Sequence, residues 1–167
     1  MLNSFRAIRQ WSRTNVTKIG THDGPFHADE VLACVLLKQL DEYKNAEIVR
    51  SRDMKIIENC DIVVDVGAKF DPENKRFDHH QLDFTETMRS LNLLNFDTKL
   101  SSAGLVYAFY GKSIINELTG IVTDSPECDV IYEKVIFEIK STQNSTGAFQ
   151  GRDFCTQFDP LNDYFKR

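Results

Sequence analysis

Three short apolar segments of this chain each run into a residue with chemistry at its end. Val16 to His22 closes on a histidine, Asp61-Ile-Val-Val-Asp65 on a carboxylate, and Arg76-Phe77-Asp78 on the double histidine His79-His80. All three read as strands, the second β-branched enough to be central, and Ala46 to Arg50 adds another. Between the first two lies Val31 to Leu37, a continuous apolar run opened by Asp29 and Glu30, acids suited to the positive end of a helix dipole. Gly67 breaks the Asp61–Asp65 strand, and Asp71-Pro72-Glu73-Asn74 is turn chemistry.

From Ser101 the pattern becomes helical. Ser101 or Ser102 can cap a helix running to about Leu118 with Gly120 placed to end it. Ser125 and Pro126 then start a second, whose Ile131, Val135 and Ile139 recur at helical spacing. Strands alternating with a helix and followed by helices predict an α/β fold, a largely parallel sheet flanked by helices. Ligands of open α/β sheets collect beyond the carboxyl ends of the strands, where His22, Asp65 and Asp78-His79-His80 fall together. Asp61 begins its strand and so belongs at the other end of the sheet.

The chain's 4 histidines occur only in two acidic clusters, His22-Asp23-Gly-Pro-Phe-His27-Ala-Asp29-Glu30 and Asp78-His79-His80. Neutral imidazole beside carboxylate suits divalent ions of the manganese, iron or zinc type, and carboxylates can share their oxygens between two ions. A lone histidine near a strand end is as readily a hydrogen-bonded core residue; the clustering favours metal. No thiolate accompanies the histidines, which disfavours structural zinc.

Composition bounds the partners. At 167 residues and 41% hydrophobic, the chain can fill one ordinary core. Its net charge of -5 gives no broad basic footprint, so a nucleic-acid substrate would have to be held locally, through metals and a few basic side chains. Cys34, Cys60, Cys128 and Cys155 show no paired spacing, which fits reduced thiols. No apolar run approaches the roughly 20 residues needed to span a bilayer, so no membrane partner is expected. Residues 1–17 form a separate arm: acid-free, bearing Arg6, Arg9 and Arg13, with Leu2, Phe5, Ile8 and Trp11 at every third position. That is the pattern of a mitochondrial presequence. Residues 18–140 hold the α/β domain, and residues 141–167 a divergent, irregular tail.

Four segments then carry a family resemblance. Thr21-His22-Asp-Gly-Pro-Phe-His27-Ala-Asp29-Glu30, Val63-Val64-Asp65-Val66-Gly67, Arg76-Phe77-Asp78-His79-His80-Gln81 and Leu100-Ser-Ser-Ala-Gly-Leu-Val-Tyr107 closely resemble the melanocyte-proliferating-gene family, the metal-dependent protein hydrolases, a branch of the DHH phosphoesterases. The resemblance implies a binuclear centre, two manganese ions, with His22, His27, Asp29, Asp65 and His79 as ligands and Asp65 bridging. It makes His80 the contact to substrate phosphate and Asp78 the group that orients its neighbour. It implies 3′ to 5′ RNA exonuclease activity in mitochondria and nucleus, hydrolysing terminal phosphodiesters with metal-activated water.

The chain also departs from that family. Past Glu138 the family continues through an Asp-rich stretch ending Asp-Asn-Gly-Ile that supplies another ligand, whereas this chain reads Ile139-Lys-Ser-Thr-Gln-Asn-Ser-Thr-Gly147, and the family's second domain does not follow. The expectation is a C-terminally truncated or alternative form with impaired chemistry. The alternative is a non-catalytic metal-binding isoform that regulates or interferes with the full-length protein. A small-molecule pyrophosphatase or dinucleotide phosphatase would show the same ligands.

Overall fold

The computed structural model describes residues 16–141, excluding the side chains of the last two. The basic arm lies outside these residues except for Val16 and Thr17, and the tail from 142 onward lies outside them entirely.

The strands are β1 (Lys18–Thr21), β2 (Glu47–Arg50), β3 (Ile62–Val64), β4 (Phe70–Asp71) and β5 (Arg76–Phe77), in the order β2-β1-β3-β5-β4. β2, β1, β3 and β5 run parallel, and β4 pairs antiparallel with β5. The fold is α/β, as the alternation predicts. Helix α1 (Ala28–Leu37) links β1 to β2, and the short α2 (Met54–Ile57) links β2 back across the sheet to β3. Right-handed crossovers that travel in opposite directions put their helices on opposite faces. The core divides accordingly. Ile19, Ile62, Val64 and Phe77 join Leu32, Ala33 and Leu37 on one face, while Val63 meets Ile57 and Cys60 on the other. β3, covered on both faces, is the central strand its β-branched sequence indicates.

This winding has a consequence for position. From β1 the chain moves to β2, and from β3 it moves the other way toward β5, so the connections diverge between β1 and β3. That divergence opens a crevice at the carboxyl ends of those strands. His22 follows β1 and Asp65 follows β3.

Two further helices cover the α1 face: α3 (Ser102–Thr119) and α4 (Pro126–Ser141). Ser101 caps α3 by accepting the Gly104 N–H at 3.3 Å, and Gly120 ends it at φ 74°, a left-handed conformation that glycine adopts without Cβ strain. Ser125 Oγ accepts the Cys128 N–H at 3.2 Å at the start of α4. The α3–α4 contact is built on Tyr107 and Tyr132, stacked with ring centroids 5.1 Å apart over Gly111.

Differences from the sequence reading are local. The first strand starts at Lys18 instead of Val16. The sequence pattern predicts neither α2 nor β4. Four residues of helix and two of strand carry too little periodicity to read, and both exist because Ile57 and Phe70 find neighbours in the fold. Between Asp78 and Ser101 the chain is mostly irregular, pinned by buried Phe84, Met88 and Leu100. Asp61 sits at the amino end of β3, exposed, accepting the Lys18 N–H at 2.7 Å. Among the described residues no helix is long and apolar enough to cross a membrane.

Candidate metal centre

The loop after β1 carries His22 and His27. His22 is buried, and its Nδ1 accepts the Gly24 N–H at 3.1 Å. Its Nε2 is buried without a hydrogen-bond partner, 3.5 Å from Asp65 Oδ2 and 3.7 Å from Glu30 Oε2. His27 is the exposed residue preceding α1, its ring centroid 5.2 Å from that of His22. Glu30, in the first turn of α1, is 1% exposed and receives the His27 N–H on both oxygens, at 2.7 and 2.9 Å. This contact is one half of a capping box, here built with a histidine in place of the usual serine or threonine. Arg50 at the end of β2 holds the loop from outside. It donates to Gly24 O at 2.8 Å and lies 3.8 Å from Glu30 Oε1.

Asp65 adopts φ 57°, the left-handed region, which aspartate tolerates better than most residues but which still costs energy away from glycine. That turn directs the chain away from β3 immediately after the strand ends. Asp65 Oδ1 accepts from Ser102 Oγ at 3.1 Å and stands 3.6 Å from His79 Nδ1 and 3.5 Å from His80 Nδ1.

Asp78, almost fully buried, spends its carboxylate on local order. Oδ2 accepts the Ala68 N–H at 2.6 Å, and Oδ1 accepts the His79 and His80 N–H groups at 2.8 and 3.2 Å. Oδ1 also bonds the His80 ring through Nδ1 at 2.7 Å. The ring that Asp78 orients is therefore that of His80. The His79 ring is positioned from α3, its Nδ1 3.0 Å from Ser102 Oγ.

Asp29 faces the same helix. Its carboxylate accepts the Ser102 N–H at 3.0 Å and the Ala103 N–H at 2.8 Å, the free donors at the start of α3, while Oδ2 lies 3.6 Å from His79 Nδ1. A carboxylate has about four lone-pair sites, so these bonds leave capacity for an ion.

Two groups of potential ligands emerge, His22/His27/Glu30/Asp65 and Asp65/Asp78/His79/His80, each with its donor atoms within 4.8 Å of one another. Asp65 belongs to both. Every residue expected from the sequence comes to this end of the sheet. Asp29 stands beside His79 and α3, and Glu30 occupies the place next to His22. The sequence places Glu30 in the first acidic cluster and Ser102 among the capping residues, and the expected ligand set includes neither. A pointer to Glu30 was present, since an acid three residues after His27 is the capping-box spacing. Nothing local marks Ser102.

The electrostatics fit a cation. Asp29, Glu30, Asp65 and Asp78 gather in a small volume, and burial, followed by the charge of Asp29, pushes the Asp65 carboxyl up to about 7. Burial holds the His22 and His79 imidazoles below their ordinary value, favouring the neutral form that ligates metal. For His80 burial acts downward but is outweighed by the Asp78 hydrogen bond and the fields of Asp78, Asp65 and Asp29, which raise it. Nitrogen and oxygen donors with a partnerless buried Nε2 are the donor set a manganese-, iron- or zinc-type ion takes. Coordination through His22 Nε2 requires the ring proton on Nδ1, so holding an ion there costs the Gly24 contact.

The family model MYG1_exonuc, described as Uncharacterised protein family (UPF0160), matches residues 18–145. The chain belongs to this family. It is 53% identical over 119 residues to the MYG1 exonuclease of Mus musculus, covering 71% of this chain and 31% of the mouse protein. It is 50% identical over 137 residues to MYG1 protein C27H6.8 of Caenorhabditis elegans, covering 80% of this chain and 40% of that one. Against MYG1 protein YER156C of Saccharomyces cerevisiae it is 44% identical over 134 residues, 80% of this chain and 38% of the yeast protein. The chain thus spans well under half the length of these relatives. No solved structure matches it.

Proposed function

We propose that this chain carries the catalytic domain of a metal-dependent phosphodiesterase, an exonuclease that removes nucleotides from RNA ends with two manganese ions. The observation that carries the reading is Asp65: one buried carboxylate common to two overlapping sets of nitrogen and oxygen donors. The exonuclease name of the mammalian relatives supports the substrate class.

In this reading His22, His27 and Asp65, with Glu30 beside them, hold one ion, and Asp65, Asp29 and His79 hold the other. Bound ions would supply positive charge for the phosphoryl oxygens and lower the pKa of a water. The protein's own contribution is alignment. Ser102 fixes Asp65 and His79 together, and Asp78 fixes His80. With Nδ1 donating to Asp78, His80 presents Nε2 on a largely exposed ring, and that nitrogen donates when the ring is protonated. The Asp78 carboxylate beside the ring favours its protonated form, in which it could stabilise negative charge that develops on a phosphate oxygen.

The test is a manganese-supplemented assay on short RNA, single-stranded DNA and pyrophosphate, paired with calorimetric manganese titration. Expected are stepwise shortening of RNA, slower than by a relative that carries the Asp-Asn-Gly-Ile stretch, and metal binding that Asp65→Ala and His79→Ala both weaken. Unchanged manganese affinity in either variant would remove the assignment. Metal binding without hydrolysis of any substrate would instead support the non-catalytic alternative.

A further inference from the structure

We propose that Phe26, backed by Arg50, is a stacking platform for a nucleobase of a single-stranded oligonucleotide whose phosphodiester lies at the Asp65 centre. The proposal rests on the phosphodiesterase reading and adds to it how a nucleotide is held. Phe26 is 74% exposed, in the loop between His22 and His27, where a large apolar ring gains nothing from water. The ring is nonetheless held. The Arg50 guanidinium lies 3.9 Å from its centroid, covering one π-face and leaving exposed surface for a second planar group.

The loop on both sides of Phe26 is fixed by hydrogen bonds. Arg50 donates to Gly24 O at 2.8 Å, Arg52 pairs with Asp23 at 3.0 Å, and Glu30 holds the His27 N–H. A pre-positioned aromatic loses little freedom on binding.

Its position links it to the chemistry. The guanidinium that supports the ring also lies 3.8 Å from Glu30, which stands 3.7 Å from the His22 Nε2. Arg50 and Arg52 add positive charge at this edge of an acidic centre, in a chain whose net charge is -5. An exposed ring stacked on a guanidinium that itself reaches the acidic centre matches what a nucleotide presents: a flat base joined to an anion. Inorganic pyrophosphate has no base and would not use it.

The experiment measures binding of a short fluorescein-labelled single-stranded RNA with phosphorothioate linkages to the full chain, with manganese present. Phe26→Ala is expected to weaken binding at least about fivefold and Phe26→Trp to retain it. An abasic strand of the same length should bind the wild type and Phe26→Ala alike. Equal RNA affinity in wild type and Phe26→Ala, equal sensitivity of the abasic strand, or no RNA binding by the wild type would each overturn the platform. Manganese titration of the same samples separates the two readings. Phe26-dependent RNA binding without manganese binding would remove the metal assignment alone. Manganese binding and turnover of bis-p-nitrophenyl phosphate with RNA affinity indifferent to Phe26 would remove the platform alone.

Discussion

Replacing Asp65 by asparagine should stabilise the chelator-treated protein at alkaline pH while abolishing its stabilisation by manganese. Burial, and next the charge of Asp29, raise this carboxyl from 3.8 to about 7. An acid whose pKa rises on folding is tolerated when protonated and opposed when charged. Its penalty is therefore absent below pH 3.8, grows as the pH climbs toward about 7, and is constant above that. The interval between the two values, at about 1.4 kcal/mol per pH unit, makes the full penalty on the order of 4 kcal/mol. Asparagine carries no charge, keeps an acceptor for Ser102 Oγ and tolerates the left-handed backbone at φ 57° as aspartate does. Urea unfolding in chelator should find the two proteins within about 1 kcal/mol at pH 4 and the variant more stable by roughly 2–4 kcal/mol at pH 8. Manganese at a hundredfold excess over its dissociation constant should then add about 2.7 kcal/mol to the wild type, and far less to the variant. A variant no more stable than wild type in chelator at pH 8 would show that the Asp65 charge is already compensated within the protein, and the electrostatic case for a cation there would fail.

Three further outcomes are expected. Gly111→Ala should destabilise by about 1–3 kcal/mol in chemical unfolding, because the new Cβ would meet Tyr132 at 2.8 Å and Tyr107 at 2.9 Å and this overpacking outweighs the roughly 1 kcal/mol helical preference for alanine; a stabilised variant would mean that the two rings yield. Burial raises the thiols of Cys34, to about 11, and of Cys60 and Cys128, so thiolate is scarce at pH 7.5, and mass spectrometry after iodoacetamide treatment should find all three unmodified until the protein is denatured. A fluorescent reporter fused to residues 1–17 should accumulate in mitochondria, as an acid-free, arginine-bearing amphipathic arm predicts; cytosolic fluorescence would count against it.

What the sequence determined by itself was the set of elements that repeat or cap locally. β-branched residues at Ile62 to Val64, the apolar run of α1, Ser101 and Gly120 around α3, and Ser125 before α4 all act through neighbours a few positions away, and such information survives in a linear string. The clustering of His22, His27, Asp29, Asp65 and Asp78-His79-His80 at strand ends was legible for the same reason, since a parallel sheet brings like ends together whatever its strand order. Tertiary structure alone decided which atoms meet. Ser102 reaches Asp65 across 37 positions and Asp29 across 73, so its hydroxyl at the centre has no local signature. Glu30 shares the centre with Asp65 only because β1 and β3 lie side by side and bring His22, which Glu30 approaches, up to Asp65, just as α2 and β4 exist only because the sheet offers them a surface. Local periodicity determines which elements form; the distances within a site depend on how those elements pack, which residues far apart in sequence settle jointly.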